Sequence, residues 1–401
     1  MLLFDVTHTS HSTANTGVQR VTRELFRALR AITPVRPVLW DPFACAWREP
    51  DRHETDLLET APSRRPSLRR GARWSWRQRW RGHLDRIRGN PRAVRGNASA
   101  FLTTEIFSST VWESYPHLWS RITGPRIAIF HDAIPLKLPY LTPRGTVRRF
   151  PAYLKQLRAF DGVAALSNAS RKDLAGYWEW LGPEAGPPMT TIPPGLHLSA
   201  DPSADSAEQA EPPRILCVGS IEGRKNQATL LRACDQLWKD GESFHLDFVG
   251  IANRETGGEA IQLLDALREQ GQPVTWHGPV REAELLRLYQ ACRFTVYPSY
   301  YEGFGLPVWE SLRHGKPCIC GTGGALAETA RGGGCLTVES ISDPFVLARA
   351  VRQLLRDSER RAALAAEARM RRFPTWEESA QKLLQWIESR PTANRRGGSG
   401  S

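Results

Sequence analysis

No Asp-x-Asp triplet occurs in these 401 residues, so no acidic pair is spaced to hold a divalent ion against a diphosphate. No G-x-x-x-x-G-K-[ST] loop occurs either, which argues against a nucleoside triphosphatase. Long apolar runs are missing: none approaches the roughly 18 residues that signal a membrane-spanning helix. No basic leader precedes the apolar start MLLFD, which reads as a buried first strand and not as a secretory signal. Cysteine is sparse and odd in number, with seven residues. Most sit in apolar segments, such as Cys217 in ILCVG and Cys318 and Cys320 in PCICG, as expected of reduced thiols in a cytoplasmic protein. The C-x-C of Cys318 and Cys320 has no second ligand pair nearby, so a zinc site is not expected. Acids are nearly absent from one stretch. From Arg64 to Arg95 there are 12 arginines against the single acid Asp85, and this stretch carries almost all of the net charge of +12. A protein basic throughout would suggest nucleic acid as its partner. One basic insert in an otherwise near-neutral chain suggests something local.

What is present is ordinary globular composition, 41% hydrophobic and 24% charged, in a chain long enough for two cores. The second half alternates short β-branched runs with helical stretches. Its strand candidates are 214–219, 244–250, 274–278, 294–298, 317–320 and 335–338. Helices are expected near 226–238, 258–270, 281–291, 305–314, 324–331 and 343–356. That alternation predicts a parallel sheet with helices on both faces. The first half repeats the pattern with interruptions. Strands are expected at 2–6, 35–39, 98–103, 126–131, 162–167 and 190–193, and helices at 17–31 and 169–181. The predicted architecture is α/β, with two Rossmann-like domains whose parallel sheets face a central cleft. The expected boundaries are a first domain at 1–198 with the basic insert at 63–97, a linker at 199–213 and a second domain at 214–375. A C-terminal helix at 376–390, able to pack back on the first domain, and a disordered tail at 391–401 complete the chain.

Three glycine-bearing turns in the second domain follow strands, where ligands of such sheets bind. In SYYEGFGLPVWE, Gly303 and Gly305 allow a tight backbone path, and Pro307 suits a first helical turn. The amides Gly303–Leu306, Phe304 and Gly305 among them, are placed to meet phosphate or sugar oxygens. Glu302 and Glu310 can face one cleft about two turns apart, where a carboxylate accepts both hydroxyls of a diol. The plainer alternative is that Glu302 caps the helix and Glu310 faces solvent. In GSIEGRKN, the cations Arg224 and Lys225 stand at a helix start, where the dipole disfavours positive charge. An anion between them would explain their position, a solvated basic turn would not need one, and Asn226 is expected to cap the helix. The weakest of the three, GTGGALAE at 321–328, allows phosphate contact or plain turn chemistry. In the first domain, His131 and Asp132 close a strand, and His131 either meets substrate or is an interior histidine donating to backbone. Thr16 and Gly17 open a helix beyond the first strand, Ser167 stands at another strand end, and His8 and His11 lie in a polar loop bordering the same cleft.

These stretches resemble the retaining glycosyltransferases of family 4, with the two-lobed GT-B fold. The matching segments are GVQRVTRELFRAL, HD at 131–132, LSNASRKDL, VGSIEGRKN, GPVREAELLRLYQAC and YPSYYEGFGLPVWESLRHGKP. The resemblance implies that Glu310 holds the nucleotide ribose, and that Glu302 with the Gly303–Leu306 backbone meets the donor sugar and distal phosphate. It implies further that Arg224 and Lys225 bind the diphosphate, that Gly17 approaches it from the other lobe, and that His131 contacts the sugar near the reacting carbon. The implied activity is transfer of a hexose with retained configuration, needing no metal or other cofactor. GDP-mannose is favoured as donor, ahead of dTDP-rhamnose and other hexose donors. The acceptor would be a glycan or lipid-linked glycan in lipopolysaccharide O-chain or other surface polysaccharide assembly. Competing expectations are an epimerase or sugar-phosphate synthase of the same architecture, and a non-catalytic nucleotide-sugar binder.

The basic insert interleaves Trp74, Trp76 and Trp80 with its arginines. It could lie on an anionic membrane surface, pack as an ordinary solvated helical pair, or bind nucleic acid, for which no module accompanies it. The expected location is the cytoplasm, with peripheral attachment to the inner face of the cytoplasmic membrane as what the insert adds.

Overall fold

A computed structural model describes residues 1–15, 17–59, 74–197 and 211–391. Thr16, the start of the basic insert, most of the expected linker and the tail from 392 lie outside the described residues. The first sheet contains β1 (Leu2–Asp5), β2 (Val35–Asp41), β3 (Ala46–Arg48), β4 (Ala100–Thr103), β5 (Arg126–Phe130), β6 (Gly162–Ala165) and β7 (Met189–Thr191). Its order is β3-β2-β1-β4-β5-β6-β7, parallel except for the antiparallel edge strand β3. The second sheet contains β8 (Arg214–Val218), β9 (His245–Val249), β10 (Val274–Trp276), β11 (Phe294–Tyr297), β12 (Cys318–Cys320) and β13 (Cys335–Thr337). Its order, β10-β9-β8-β11-β12-β13, is parallel throughout. The expected pair of Rossmann-like sheets is therefore present.

The central strands are apolar along their length because helices cover both faces of each sheet. Every residue of β1, β4, β6 and β11 is buried. One face of the first sheet packs against Tyr115, Tyr153 and Trp178. The other packs against Val21, Leu25 and Leu29 of the Gly17–Ile32 helix. That second core also takes in Trp376, Ala380, Leu383 and Ile387 of the C-terminal helix Trp376–Glu388. The chain crosses back to reach it: the Leu196 amide donates to the Pro374 carbonyl at 2.9 Å, and the Ser379 hydroxyl donates to the Pro193 carbonyl at 2.8 Å.

Two helices absent from the sequence expectation, Ser109–Trp119 and Arg144–Gln156, each carry an internal proline, Pro116 and Pro151. A proline normally ends a helix, and packing against the first core sustains both here: Tyr115, Leu118, Phe150, Tyr153 and Leu154 are all buried in it. The helix Ser358–Met370 was not expected either. Its first turn is capped by Asp357, whose side chain accepts from the Arg360 amide at 2.8 Å.

In both sheets the strand order reverses between the first strand and the fourth. A crevice opens at that point because the flanking connections leave toward opposite faces. In the second lobe the reversal lies between β8 and β11. Those are the two strands that lead into the Arg224–Lys225 and Glu302–Leu306 stretches.

Candidate functional site

The turn after β8 brings its two cations inward. Residues Gly223–Lys225 form one 3₁₀ turn, and Asn226 follows with φ of 57°. Asn226 does not cap the next helix. Its amide donates to the Ile341 carbonyl at 2.9 Å and its carbonyl accepts from the Thr229 hydroxyl at 2.6 Å. A capping residue has extended backbone angles, which the left-handed Asn226 lacks, and its carbonyl takes the Thr229 hydroxyl of the first helical turn in place of an amide. Lys225 is buried. Its ammonium donates to Glu302 at 2.6 Å and to the Tyr297 hydroxyl, and lies 4.6 Å from the Tyr297 ring centre. The Arg224 guanidinium reaches both oxygens of Glu302 at 3.1 Å and Glu222 at 2.8 Å.

An anion was one of the two sequence-based explanations for these cations, and the protein itself supplies one in the carboxylate of Glu302. Burial works against every charge in the cluster, and pairing offsets it. Burial pulls the Lys225 ammonium below the ordinary lysine value despite the pull of Glu302. Burial would raise the Glu302 carboxyl, but Lys225 and Arg224 outweigh it and hold the group below its usual value. Burial likewise opposes Arg224, which Glu302, Glu222 and Asp132 keep charged.

Glu310 lies on the helix Leu306–Arg313, which opens at Gly305 with φ of 96°. One of its oxygens pairs with Arg20 of the first lobe, and the other accepts from the Tyr289 hydroxyl at 3.3 Å. It faces the other lobe, and not solvent. Phe304 is buried edge-on against Trp309, ring centres 4.6 Å apart, and Leu306 packs against the neighbouring core. What this stretch can offer a ligand is therefore its backbone. The glycines of 321–324 have a packing role: a Cβ at Gly323 would stand 1.8 Å from the Tyr300 carbonyl, and Gly324 pairs with Glu302 as an isolated bridge.

On the first lobe, Gly17 opens its helix at an exposed position, and a Cβ there would meet nothing within 4 Å. His131 is buried, with Nε2 at 2.7 Å from the Thr104 carbonyl. A carbonyl only accepts, so Nε2 carries the hydrogen. Burial pulls the ring's pKa down, and the neutral form keeps its lone pair on Nδ1. Asp132 is raised by burial, opposed by Arg224. Ser167 caps the helix Asn168–Leu181 by accepting from the Ser170 amide at 3.0 Å, so its hydroxyl is engaged. His11 is buried, Nε2 at 2.9 Å from Glu54 and Nδ1 at 3.0 Å from the Thr7 carbonyl, while the amides of His8 and Thr9 donate to Glu105 at 2.5 and 2.6 Å.

The lobes are clasped across the cleft. A Cβ at Gly303 would stand 2.5 Å from the His131 carbonyl and 2.6 Å from the Asp132 Cβ. The Ser170 hydroxyl reaches both the His131 carbonyl at 2.9 Å and the Gly303 carbonyl at 3.1 Å. Glu328 accepts from the first amides of the Asn168–Leu181 helix, at 3.0 Å from Asn168 and 2.5 Å from Ala169. Tyr301 donates to Asp173. His131, Arg224, Lys225, Glu302, Gly303 and Glu310 thus converge on one cleft. Arg20, Tyr289, Glu222 and Ser170 join them without having been singled out in the sequence. Arg20 offered the same clue as Arg224 and Lys225, a cation near a helix start, where the dipole disfavours it. Among the described residues no group of three His, Cys, Asp or Glu is arranged to hold a metal ion.

Residues 201–371 match the family model described as glycosyl transferases group 1. The chain is 26% identical over 416 aligned residues to the Escherichia coli serotype-specific mannosyltransferase WbdA, an alignment covering 96% of this chain and 46% of that protein. It therefore spans about half the length of that relative. Among solved structures it is similar to sucrose-phosphate synthase from Thermosynechococcus elongatus, with a TM-score of 0.69 at 21% identity over 96% of this chain and 98% of that one. It is also similar to Anabaena HepE in complex with UDP and glucose, with a TM-score of 0.68 at 16% identity over 97% and 99%. The chain has the two-lobed GT-B fold of glycosyltransferases and is related to the bacterial group 1 glycosyltransferases and mannosyltransferases.

Proposed function

We propose that this chain is a retaining hexosyltransferase that moves mannose from GDP-mannose to a glycan or lipid-linked glycan acceptor in surface polysaccharide or O-chain assembly. The observation that carries the reading is the buried Arg224–Lys225–Glu302 cluster at the strand-order reversal, with Glu310 eight residues after Glu302 and held in the same cleft. Arg224 supplies a planar fork and Lys225 a point charge for a diphosphate, with the Gly303–Leu306 amides completing the cradle. Charge held ready where the leaving diphosphate gains it lowers the barrier without reorganisation. These groups do this without a metal. Glu310 accepts from the ribose hydroxyls. Gly17 leaves room for the phosphates on the opposing lobe. His131, fixed by Thr104, lies beside the transferred sugar.

In the reaction the bond from the anomeric carbon to the phosphate oxygen breaks, and the acceptor oxygen bonds to the same face of that carbon. The acceptor's proton passes to the departing phosphate. Closure of the two lobes keeps water from competing for the sugar. Mannose and its GDP carrier are favoured by the EGRKN segment and by the relationship to a protein named as a mannosyltransferase.

A thermal-shift panel of nucleoside diphosphates and their sugars tests the donor. GDP and GDP-mannose should raise the melting temperature, and UDP, dTDP and ADP should not. Transfer from radiolabelled donor should fall by about 10²-fold or more in Lys225→Ala, the scale seen when one charge-stabilising group is lost. Glu310→Ala should mainly weaken donor binding. Release of free nucleoside diphosphate should need an acceptor, whereas an epimerase would convert the donor to its epimer and release no nucleoside diphosphate. Unchanged transfer in both variants would overturn the site assignment.

A further inference from the structure

The helix Trp76–Ile87 sits on the first lobe by one face. Gly82 and Asp85 are its buried residues, and Gln78 is half-buried. A Cβ at Gly82 would stand 2.6 Å from the Phe43 Cβ and 2.9 Å from an Asp41 oxygen, and Asp85 pairs with Arg92. At about 100° per residue these three positions span roughly 60° of the helix. On the opposite side stand Trp76, Trp80, Leu84 and Ile87, spaced i, i+4, i+8 and i+11 and confined to roughly 80°. They are 67%, 65%, 44% and 82% exposed. Arg77 and Arg81 run along one edge of this ridge, Arg79 and Arg86 along the other, all exposed. Two indoles and two aliphatic side chains turned to water cost solubility and add nothing to the packing of the helix on its lobe.

We infer that this helix is a docking ridge that lies flat on an anionic lipid surface. Its apolar stripe enters the boundary between head groups and acyl chains, and the flanking guanidinium groups meet lipid phosphates. The charge pattern selects this occupant. A second copy of the ridge would set arginine rows against arginine rows, and Leu84 and Ile87 offer no flat face on which bases could stack. The ridge is also tied to the cleft side of the first lobe. Trp74, just ahead of the helix, stacks on His11 with ring centres 3.9 Å apart, and Gln78 donates to Glu54 at 3.0 Å. Glu54 in turn holds His11 in the loop after β1. Docking would thus fix the loop after β1 against the bilayer. The inference stands on this helix alone and does not depend on the transfer reaction.

The test is flotation of the full chain with vesicles of phosphatidylcholine alone or an equal mixture of phosphatidylcholine and phosphatidylglycerol. The wild type should float with the mixed vesicles, less so at high salt, and stay down with phosphatidylcholine. The triple variant Trp76→Ser/Trp80→Ser/Ile87→Ser should lose partitioning by about 100-fold or more. Arg77→Gln/Arg79→Gln/Arg81→Gln should lose roughly fivefold per arginine at low salt. The apolar set points away from the lobe, so its melting temperature should hold; Arg79 lies over the Phe43 ring and Arg81 pairs with Asp51 at 3.7 Å, so if the arginine set misfolds, the apolar set decides. Wild-type protein that fails to float, or ridge variants that float as well as it does, would overturn the inference. So would absence of vesicle binding together with loss of self-association or RNA binding in the same variants.

Discussion

Arg20 and Glu310 set one residue-scale expectation. The Arg20 guanidinium holds a Glu310 oxygen that, in the proposed reading, ribose hydroxyls also seek. A partly exposed ion pair is worth up to about 1 kcal/mol, so Arg20→Ala should tighten nucleoside diphosphate binding by roughly threefold to fivefold in calorimetry. Weaker binding would mean that Arg20 contacts the nucleotide itself. Glu105 sets another. Burial, with Asp5 beside it, pushes its pKa up to about 8, against the lowering effect of the Thr9 and His8 amides. An unfolded glutamate titrates near about 4.3. Between those values the native state binds more protons than the unfolded chain. Stability is therefore full below the unfolded value and is lost as pH rises toward the folded one. The melting temperature should fall from pH 5 toward pH 8 in wild type, and Glu105→Gln should flatten that slope whatever its own stability. A slope unchanged in the variant would place the proton elsewhere.

Gly303 carries the argument at the scale of elements. Its backbone does not adopt a positive φ, so the loop itself would accept alanine. Only the opposing strand end forbids a Cβ, at 2.5 Å from the His131 carbonyl. Gly303→Ala should leave each lobe folded, with a melting temperature near that of wild type. It should hold the lobes apart and cut transfer by about 10²-fold, as misplacement of reacting groups by an ångström does. A larger radius of gyration by solution scattering would mark the separation, and an unchanged radius with full activity would refute the clasp. Glu328 acts between elements too. Its two oxygens take amides at the start of the Asn168–Leu181 helix, so a carboxylate on the second lobe satisfies donors on the first. Nothing in GTGGALAE pointed to that pairing, because the partner amides lie some 160 residues away.

For the whole molecule, the C-terminal helix matters most. Trp376, Leu383 and Ile387 follow the second lobe in sequence yet are buried in the first. Trp376→Ala should cost about 3–5 kcal/mol. In hydrogen exchange, β1 and the Gly17–Ile32 helix should lose protection while β8 to β10 keep theirs; uniform loss would mean that the lobes unfold as one. The alternation of β-branched runs and helical stretches, the glycine turns after β8 and β11 and the cations of GSIEGRKN were all legible from residue order. They depend on local propensity and on periodic burial, which neighbouring residues encode. The proline-bearing helices, Arg20 on Glu310, Glu302 between Arg224 and Lys225, and the outward ridge of Trp76, Trp80, Leu84 and Ile87 were not. Each depends on which distant groups share a buried volume or leave a face uncovered. A buried charge takes whichever counter-charge the fold brings near, and only the packed chain decides which one that is.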